Sequence, residues 1–216
     1  TRVHYSPYNG EVLPGYMTTD TGFWDTFRSL FPLMNLVYPE QSVKVQEGLV
    51  NAYLESGFLP EWASPGPRGC MVGNNSASVV ADAYIDGIRG YDVEKLWEAV
   101  TSGAHKVHPE VSSTGRLGWE YYDRLGYVPC NVGINENAAR TLEYAYNDWC
   151  IWQLGRQLGK SEEELEPYRK AALNYKNLFN PKYNLMVGRN EDGTFSEPFS
   201  PLKWGGDFTE GNSLHY

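Results

Sequence analysis

Residues 136–158, ENAARTLEYAYNDWCIWQLGRQL, carry the longest helical pattern in the chain. Their apolar residues lie around most of the circumference of a helix rather than along one narrow stripe. Such a helix is buried on most sides, because a surface helix keeps a continuous polar face. Gly159 follows at the position where glycine commonly ends a helix. The stretch therefore predicts a long, largely buried helix.

Further segments with helical periodicity flank this stretch on both sides. They are predicted at about 24–37 with a kink at Pro32 and an end at Pro39, at 41–55, at 75–89 before Gly90, at 92–102 after the N-cap Asp92, and at 161–179 after a Ser161–Glu164 capping box. Residues 183–206 predict a hairpin that turns at 190–193, and a last helix is predicted near Glu210. Residues 103–135 lack periodicity, and a loop of that length is usually functional.

The order of these segments predicts an all-α fold. Mostly buried helices alternate with more amphipathic ones, and a long loop follows every second helix. This order is typical of an (α/α)6 toroid, represented here by a partial set of helical hairpins. In such a toroid the inner helices lead into long loops that all lie at one end. We therefore expect antiparallel helix pairs that contain over half of the residues, at most two or three short strands, and no domain boundary within 1–216.

Composition restricts the possible partners. The chain has 216 residues, a net charge of −9 and 14% aromatic residues. An acidic chain repels phosphate backbones, which argues against nucleic acid. No apolar run reaches the roughly 18–20 residues that span a bilayer, so no membrane partner is expected. The aromatic content is typical of a large core or of a binding surface lined with rings.

A first cluster, residues 18–28 (TTDTGFWDTFR), places two carboxylates, an arginine and aromatic rings at a junction between loop and helix. This composition suits sugar recognition. Asp20 and Asp25 would hold hydroxyl groups, and the ring of Trp24 would stack on the C–H face of a pyranose. The competing interpretation is that an aspartate caps the helix and that Phe23 and Trp24 belong to the core.

A second cluster, residues 68–76 (RGCMVGNNS), opens the helix predicted at 75–89 from its loop side. The unpaired backbone donors of a helix start could hold a polar ligand there, together with Arg68 and Asn74. The competing interpretation is an ordinary Asn or Ser N-cap.

A third cluster, residues 204–212 (WGGDFTEGN), sets Asp207 and Glu210 among aromatic rings and glycines. A carboxyl group that lies beside apolar rings and near a second carboxylate has its pKa raised. A raised pKa suits Glu210 to act as a general acid. The competing interpretation is a helix N-terminus with Thr209 as the cap.

Five motifs in this order resemble glycoside hydrolase family 92, the inverting exo-α-mannosidases. They are TDTGFWDTFRSLFPL (19–33), MVGNNSASVVADAY (71–84), GIRGYD (87–92), TLEYAYNDWCIWQLG (141–155) and WGGDFTEGN (204–212). The resemblance implies an (α/α)6 catalytic toroid and calcium-dependent removal of terminal α-mannose from glycans. It implies that Glu210 is the catalytic acid and that the Asp20–Asp25 cluster lines the mannose subsite. It also implies a secreted or periplasmic bacterial protein.

The resemblance further implies a longer polypeptide. An N-terminal β-sandwich and the remaining toroid helices would be missing parts of the same chain. The aspartates that serve the family as general base, and most calcium ligands, belong to motifs beyond Tyr216, so no metal ligand is assigned here. We expect truncation at both ends, since the chain starts at Thr1 and stops without a tail, and we expect the isolated chain to be inactive.

Two other functions remain open. A non-catalytic carbohydrate-binding helical domain would explain the aromatic content equally well, but it would not need a second carboxylate facing Glu210. A polysaccharide lyase with the same toroid is the third candidate, and the acidic net charge disfavours its acidic sugar substrates.

Overall fold

The computed structural model describes residues 2–216. In this range 44% of the chain is helical. The helices are α1 (Phe23–Thr26), α2 (Leu30–Val37), α3 (Pro39–Ser56), α4 (Ser76–Ile85), α5 (Val93–Gly103), α6 (Trp119–Leu125), α7 (Asn137–Gln157) and α8 (Glu162–Ala171), with a 3-10 segment at Asn174–Leu178. The prediction of a helix-rich chain is confirmed, although the helical share stays below the expected half.

Three two-stranded antiparallel sheets accompany the helices, so the chain is not strictly all-α. They pair β1 (Val3–Tyr5) with β2 (Val12–Pro14), β3 (Thr21–Gly22) with β4 (Trp62–Ala63), and β5 (Phe179–Asn180) with β6 (Leu185–Met186). Strands of two or three residues are too short to produce an alternating hydrophobic pattern. The β3–β4 pair matters for the site, because it ties the start of α1 to the segment that precedes α4.

Helix α7 packs against α4, α5 and α8. The side chains of Tyr144, Ile151 and Leu154 along it are fully buried. Gly155 permits the close approach of α8 and α5, because a Cβ atom there would lie 2.3 Å from Leu165 and 2.8 Å from Trp97. The predicted long, largely buried helix is therefore confirmed.

The helix predicted at 24–37 is in fact two helices. The chain leaves helical geometry after Thr26 and resumes it at Leu30. Pro32 causes no kink, because it lies in the first turn of α2, where a backbone N–H would lack a partner in any case. Pro39 does not simply end a helix either: it is the first residue of α3, a position that proline favours.

Two further helices end earlier than predicted. Helix α4 stops at Ile85 rather than at residue 89, and Gly87 follows in the left-handed region with φ +88°. Helix α8 stops at Ala171, and the segment up to Leu178 continues as a 3-10 turn rather than as α-helix. Helical periodicity persisted beyond both ends in the sequence, but the backbone geometry did not.

The predicted loop at 103–135 contains the short helix α6. Seven residues make fewer than two turns, which is too few for a periodic signal. Gly118 and Gly126 flank it as the N-cap and the C-cap, and both adopt the left-handed conformation.

The predicted helix near Glu210 is absent from the described residues. Gly205 and Gly206 have φ near +70°, and Glu210 itself has φ +45°. These values are incompatible with a right-handed helix. Thr209 is therefore no helix cap, and that interpretation of the third cluster is wrong.

Both predicted N-caps are confirmed. Asp92 accepts a hydrogen bond from the backbone N–H of Lys95 at 2.9 Å. Ser161 and Glu164 form the reciprocal capping box that precedes α8. Caps depend on residues three positions apart, so the sequence alone suffices to predict them.

The hairpin predicted at 183–206 forms only in part. Its turn at 190–193 lies within an isolated bridge between Arg189 and Phe195. Regular pairing occurs earlier, between β5 and β6. No helix in residues 2–216 combines the length and the apolarity that a membrane crossing requires.

Candidate functional site

The first half of α7 contacts all three sequence clusters. Arg28 Nη2, in the first cluster, donates to Glu143 Oε1 at 2.7 Å. The backbone N–H of Asn74, in the second cluster, donates to Asn147. Asn137, the first residue of α7, donates to Asp207 of the third cluster at 2.9 Å. Because a helix rises 1.5 Å per residue, these three contacts span about 15 Å along its axis.

The first cluster leads from β3 into α1. Phe23 is 1% exposed and packs edge-on against Phe31, so this ring is core, as the competing interpretation proposed. Gly22 is the N-cap of α1 and no side chain caps it, which rules out the capping role for Asp20 and Asp25. Both aspartates are exposed, and Trp24 is half-buried. These three side chains therefore keep polar or aromatic surface available to a ligand.

Asp20 has an unusual backbone for its residue type. Its φ of +55° lies in the left-handed region, which aspartate tolerates better than most residues. Its carboxylate accepts a hydrogen bond from Ser64 Oγ at 3.2 Å. Ser64 follows β4, so the sheet partner of β3 also holds the Asp20 carboxylate in place.

The second cluster divides into an exposed and a buried part. Arg68 is exposed, whereas Asn74 is 2% exposed. Asn74 Oδ1 accepts from Arg116 Nε at 2.8 Å, and Asn147 holds both the backbone N–H of Asn74 and the side chain of Asn75. The turn before α4 is thus fixed by two other parts of the chain.

The N-terminus of α4 is capped from a distance. Asn75 occupies the N-cap position without a side-chain cap, so the interpretation as an ordinary Asn cap is wrong. Instead, the carboxylate of Glu61 accepts from the backbone N–H of Ser76 at 2.9 Å and from its hydroxyl at 2.6 Å. Burial raises the pKa of Glu61 to about 8.

Behind this turn lies a fully buried ion pair. Arg116 Nη2 donates to Asp148 Oδ1 at 2.7 Å, and each side chain is 1% exposed. Tyr122 donates its hydroxyl to the other carboxylate oxygen at 2.9 Å. The guanidinium also lies over the ring of Tyr144, 5.2 Å from its centroid. Arg116 therefore joins Asn74 to the middle of α7.

The third cluster covers the N-terminus of α7. The backbone carbonyl groups of Gly206 and Asp207 accept from the N–H groups of Glu136 and Ala139, at 2.8 and 3.0 Å. These are donors that a helix start leaves without partners. Asp207 is thereby placed by main-chain and side-chain bonds together.

Glu210 is exposed in this structure. Trp204 is 65% exposed and packs edge-on against His215, and the Glu210 side chain is open to solvent. Phe208 is buried, but its ring packs against Tyr216. The apolar enclosure expected for Glu210 is therefore not built by these residues alone.

Glu143 lies between the first and the second cluster. Besides its bond to Arg28, it lies so close to the second cluster that a Cβ atom on Gly73 would be 3.0 Å from its own Cβ. The hydroxyl of Tyr216 donates to the backbone carbonyl of Thr209 in the third cluster at 2.9 Å, and the pKa of Tyr216 is raised mainly by burial and further by the Glu143 charge. Glu143 thus marks the point at which the first two clusters come together.

A cleft of about 520 Å³ opens beside this point. It is lined by Phe27, Arg28, Pro32, Ser78, Asp82, Leu142, Glu143 and Tyr146. None of the seven predicted site residues lines it. The expectation that Asp20, Asp25, Arg68, Asn74 and Glu210 surround one cavity stays a prediction.

Sequence reasoning missed the residues that hold the clusters in place. Three of them could have been found, namely Glu143, Asn147 and Asp148, since polar residues inside a mostly apolar helix require hydrogen-bond or charge partners. Glu61 and Arg116 carried no such signal, because each lies in an irregular segment far along the chain from what it binds.

A metal site does not form from the described part of the chain. Across residues 2–216, no three His, Cys, Asp or Glu side chains lie close enough to hold an ion together. The buried carboxylates already have other partners: Glu61 binds Ser76, Glu143 binds Arg28, and Asp148 binds Arg116. These residues do not fit calcium by themselves.

The chain is similar to known glycosidases over its whole length. Residues 1–216 match the family described as the glycosyl hydrolase family 92 catalytic domain. A family 92 inverting mannosidase structure from Bacteroides thetaiotaomicron is 51% identical, with a TM-score of 0.95, over 99% of this chain and 29% of its own.

Two other relatives are more distant. A family 92 α-mannosidase structure from the same bacterium, in complex with mannoimidazole, is 31% identical with a TM-score of 0.88, over 99% of this chain and 29% of its own. An uncharacterized secreted glycosidase of Arthroderma benhamiae is 32% identical over 73% of this chain and 21% of its own length. The chain thus spans less than a third of the relatives that it matches.

Proposed function

Because this chain belongs to glycosyl hydrolase family 92, we propose that it supplies part of the catalytic domain of an inverting exo-α-mannosidase, which removes terminal α-linked mannose from glycans. The observation that carries the proposal is the gathering of three clusters, rich in carboxylates and rings, on the first half of α7. The similarity to an inverting mannosidase and to a mannoimidazole complex supports the same substrate class.

The proposed architecture is part of one (α/α)6 toroid. Helices α4 and α7 pack against each other, and α5 contacts both. Asn74 lies in the turn before α4, and the N-terminus of α7 contacts Asp207. Such an arrangement is expected if both are inner helices whose loops open at the same end of the toroid. An N-terminal β-sandwich and the remaining helices would belong to other parts of the same polypeptide.

In the proposed reaction Glu210 is the general acid. It protonates the glycosidic oxygen while a water molecule attacks the anomeric carbon from the opposite face. In inverting glycosidases the two carboxyl groups lie roughly 6.5–9.5 Å apart, which leaves room for that water. The general base would come from a segment outside this chain, as would most ligands of the calcium ion that the family resemblance implies.

The mannose itself would be held by the predicted site residues. Asp20, Asp25 and Arg68 present exposed charged groups that suit sugar hydroxyls, and the half-buried indole of Trp24 suits the C–H face of the ring. Asn74 and Asp207 would act from more fixed positions, because each already makes a hydrogen bond to another part of the chain.

We also propose that the whole protein acts outside the cytoplasm, secreted or periplasmic. The support is a relative described as a secreted glycosidase and bacterial relatives among the solved structures. A polymeric or protein-bound mannoside is most accessible in that location.

The alternative is a non-catalytic carbohydrate-binding helical domain. One observation favours it: Trp149, Tyr146 and Trp204 are each more than 40% exposed, as rings that stack on sugars would be. A binder would retain mannosides without cleaving them.

The test uses the longest natural polypeptide that contains this chain, incubated with α-mannosides and followed by proton NMR. Inverting hydrolysis releases β-mannose first, before mutarotation. Release of α-mannose first would contradict inversion, and binding without release would favour the alternative. A β-mannoside is the control substrate and should remain intact.

A further inference from the structure

Glu143 is a buried carboxylate that none of the proposed catalytic steps uses. It lies on α7 and is 6% exposed. Burial of a carboxylate is costly unless the group is paired and hydrogen-bonded. A side chain of this kind at the meeting point of two clusters therefore calls for a role that offsets the cost.

Its first partner is Arg28. Nη2 of Arg28 lies 2.7 Å from Glu143 Oε1, and the arginine side chain is 49% exposed. The guanidinium lies over two rings, 4.5 Å from the centroid of Phe27 and 5.2 Å from that of Trp24. Because Glu143 binds one edge of the Arg28 guanidinium, it helps to hold that planar group over the indole of Trp24.

Its second neighbour is the indole N–H of Trp24. This nitrogen is buried and has no hydrogen-bond partner among residues 2–216. Burial raises the pKa of the Glu143 carboxyl group, and Arg28 and, more weakly, the Trp24 indole oppose that rise. Glu143 is therefore linked to two side chains of the first cluster, Arg28 and Trp24.

We propose that Glu143 is a positioning residue of the mannose subsite, which holds Arg28 and the indole of Trp24 in one orientation. The inference rests on the proposed function. A ring that is fixed in advance loses less conformational freedom when a sugar stacks on it, so binding is tighter. Glu143 acts through these two side chains and does not itself contact the reacting atoms.

The test measures kcat, KM and the melting temperature of the longest natural polypeptide, with an aryl α-mannoside as substrate. Glu143→Gln keeps the volume and removes the charge, and Trp24→Phe keeps a ring and removes the N–H. Glu191→Gln is the matched control, because Glu191 forms an exposed ion pair with Arg124.

Glu143→Gln is expected to raise KM about tenfold with a much smaller change in kcat, the pattern of lost ground-state binding. Trp24→Phe should raise KM as well. The double variant should be no worse than the more severe single variant, because the two residues act as one unit. Glu191→Gln should leave KM unchanged.

Several outcomes would overturn the inference. It fails if Glu143→Gln lowers the melting temperature but leaves KM unchanged, or if the two substitutions have additive effects. If Glu143→Gln does not fold, Arg28→Lys takes its place, since lysine keeps the charge but lacks the planar group that covers Trp24. If the unsubstituted polypeptide releases no mannose, the proposed function itself fails; mannose release with an unchanged KM in the variants rejects only the role of Glu143.

Discussion

Arg28 and Glu143 are 115 positions apart in the sequence and form a direct ion pair, with 2.7 Å between Nη2 and Oε1. The pair is asymmetric, because the arginine side chain is 49% exposed and the glutamate side chain only 7%. It joins the connection between α1 and α2 to the second turn of α7. The first sequence cluster is therefore attached to the central helix by a charge and not only by apolar packing.

The buried pair of Arg116 and Asp148 should matter far more to stability than an exposed one. Arg116→Met leaves the Asp148 carboxylate buried without its counter-charge, which should lower the free energy of unfolding by about 3–5 kcal/mol. Arg124→Met removes the exposed pair with Glu191 and should cost less than about 1 kcal/mol. Urea denaturation of both variants measures the difference, and equal losses would contradict it.

Glu61 should make stability depend on pH. Burial raises its pKa from 4.5 unfolded to about 8 folded, so the folded chain binds the extra proton between these values. The free energy of unfolding contributed by Glu61 should therefore fall as pH rises from about 4.5 to about 8, by at most about 1.4 kcal/mol per pH unit.

The Glu61→Gln side chain stays neutral at every pH in this range. In urea titrations, the free energy of unfolding of the variant minus that of the unsubstituted protein should therefore rise steadily from pH 5 to pH 8. In the variant, the backbone N–H and the hydroxyl group of Ser76 still have one acceptor in place of two, which is the side-chain amide oxygen of Gln. A difference between the two proteins that does not vary with pH would show that Glu61 has an ordinary pKa in the folded chain.

Glu210→Gln tests the proposed general acid in the longest natural polypeptide. The variant should lose roughly 10²–10⁴-fold in kcat/KM on natural mannosides, whose leaving groups need a proton. An aryl mannoside with an acidic phenol should be affected far less, because that leaving group needs little protonation. Small and equal effects on both substrates would remove Glu210 from the mechanism.

Gly155 should be intolerant of even one added methyl group. A Cβ atom would meet Leu165 at 2.3 Å and Trp97 at 2.8 Å, so Gly155→Ala should cost about 1–3 kcal/mol of unfolding free energy. Gly103→Ala is the matched control, because nothing lies within 4 Å of a Cβ atom at that end of α5. Denaturation of both should show a loss only at residue 155.

Local signals carried much of the fold. Asp92 as an N-cap and Ser161 with Glu164 as a capping box were predicted correctly, since each depends on partners three residues away. The buried character of α7 followed from apolar residues around its circumference. Predictions failed where the geometry depends on the backbone of a few residues, as at the end of α4 at Ile85 and at the helix expected near Glu210, which does not form.

The candidate site was predicted only as separate clusters. The motifs around Trp24, Asn74 and Asp207 were recognisable one by one, because each is a short run of unusual composition. Nothing in those runs indicates that Arg116 binds Asn74 or that Asn137 binds Asp207, across 42 and 70 positions respectively.

By itself, then, the amino-acid sequence determined the helix-rich character of this chain, its capped helices and its resemblance to a family of mannosidases. Interactions within about four residues, and motifs read in order, are encoded locally. Only the tertiary structure decided that Glu61 caps α4 and that Glu143 pairs with Arg28. A buried carboxylate must find a partner wherever packing brings a donor within about 3 Å, and that partner is set by the arrangement of α7 against its neighbours rather than by distance along the chain.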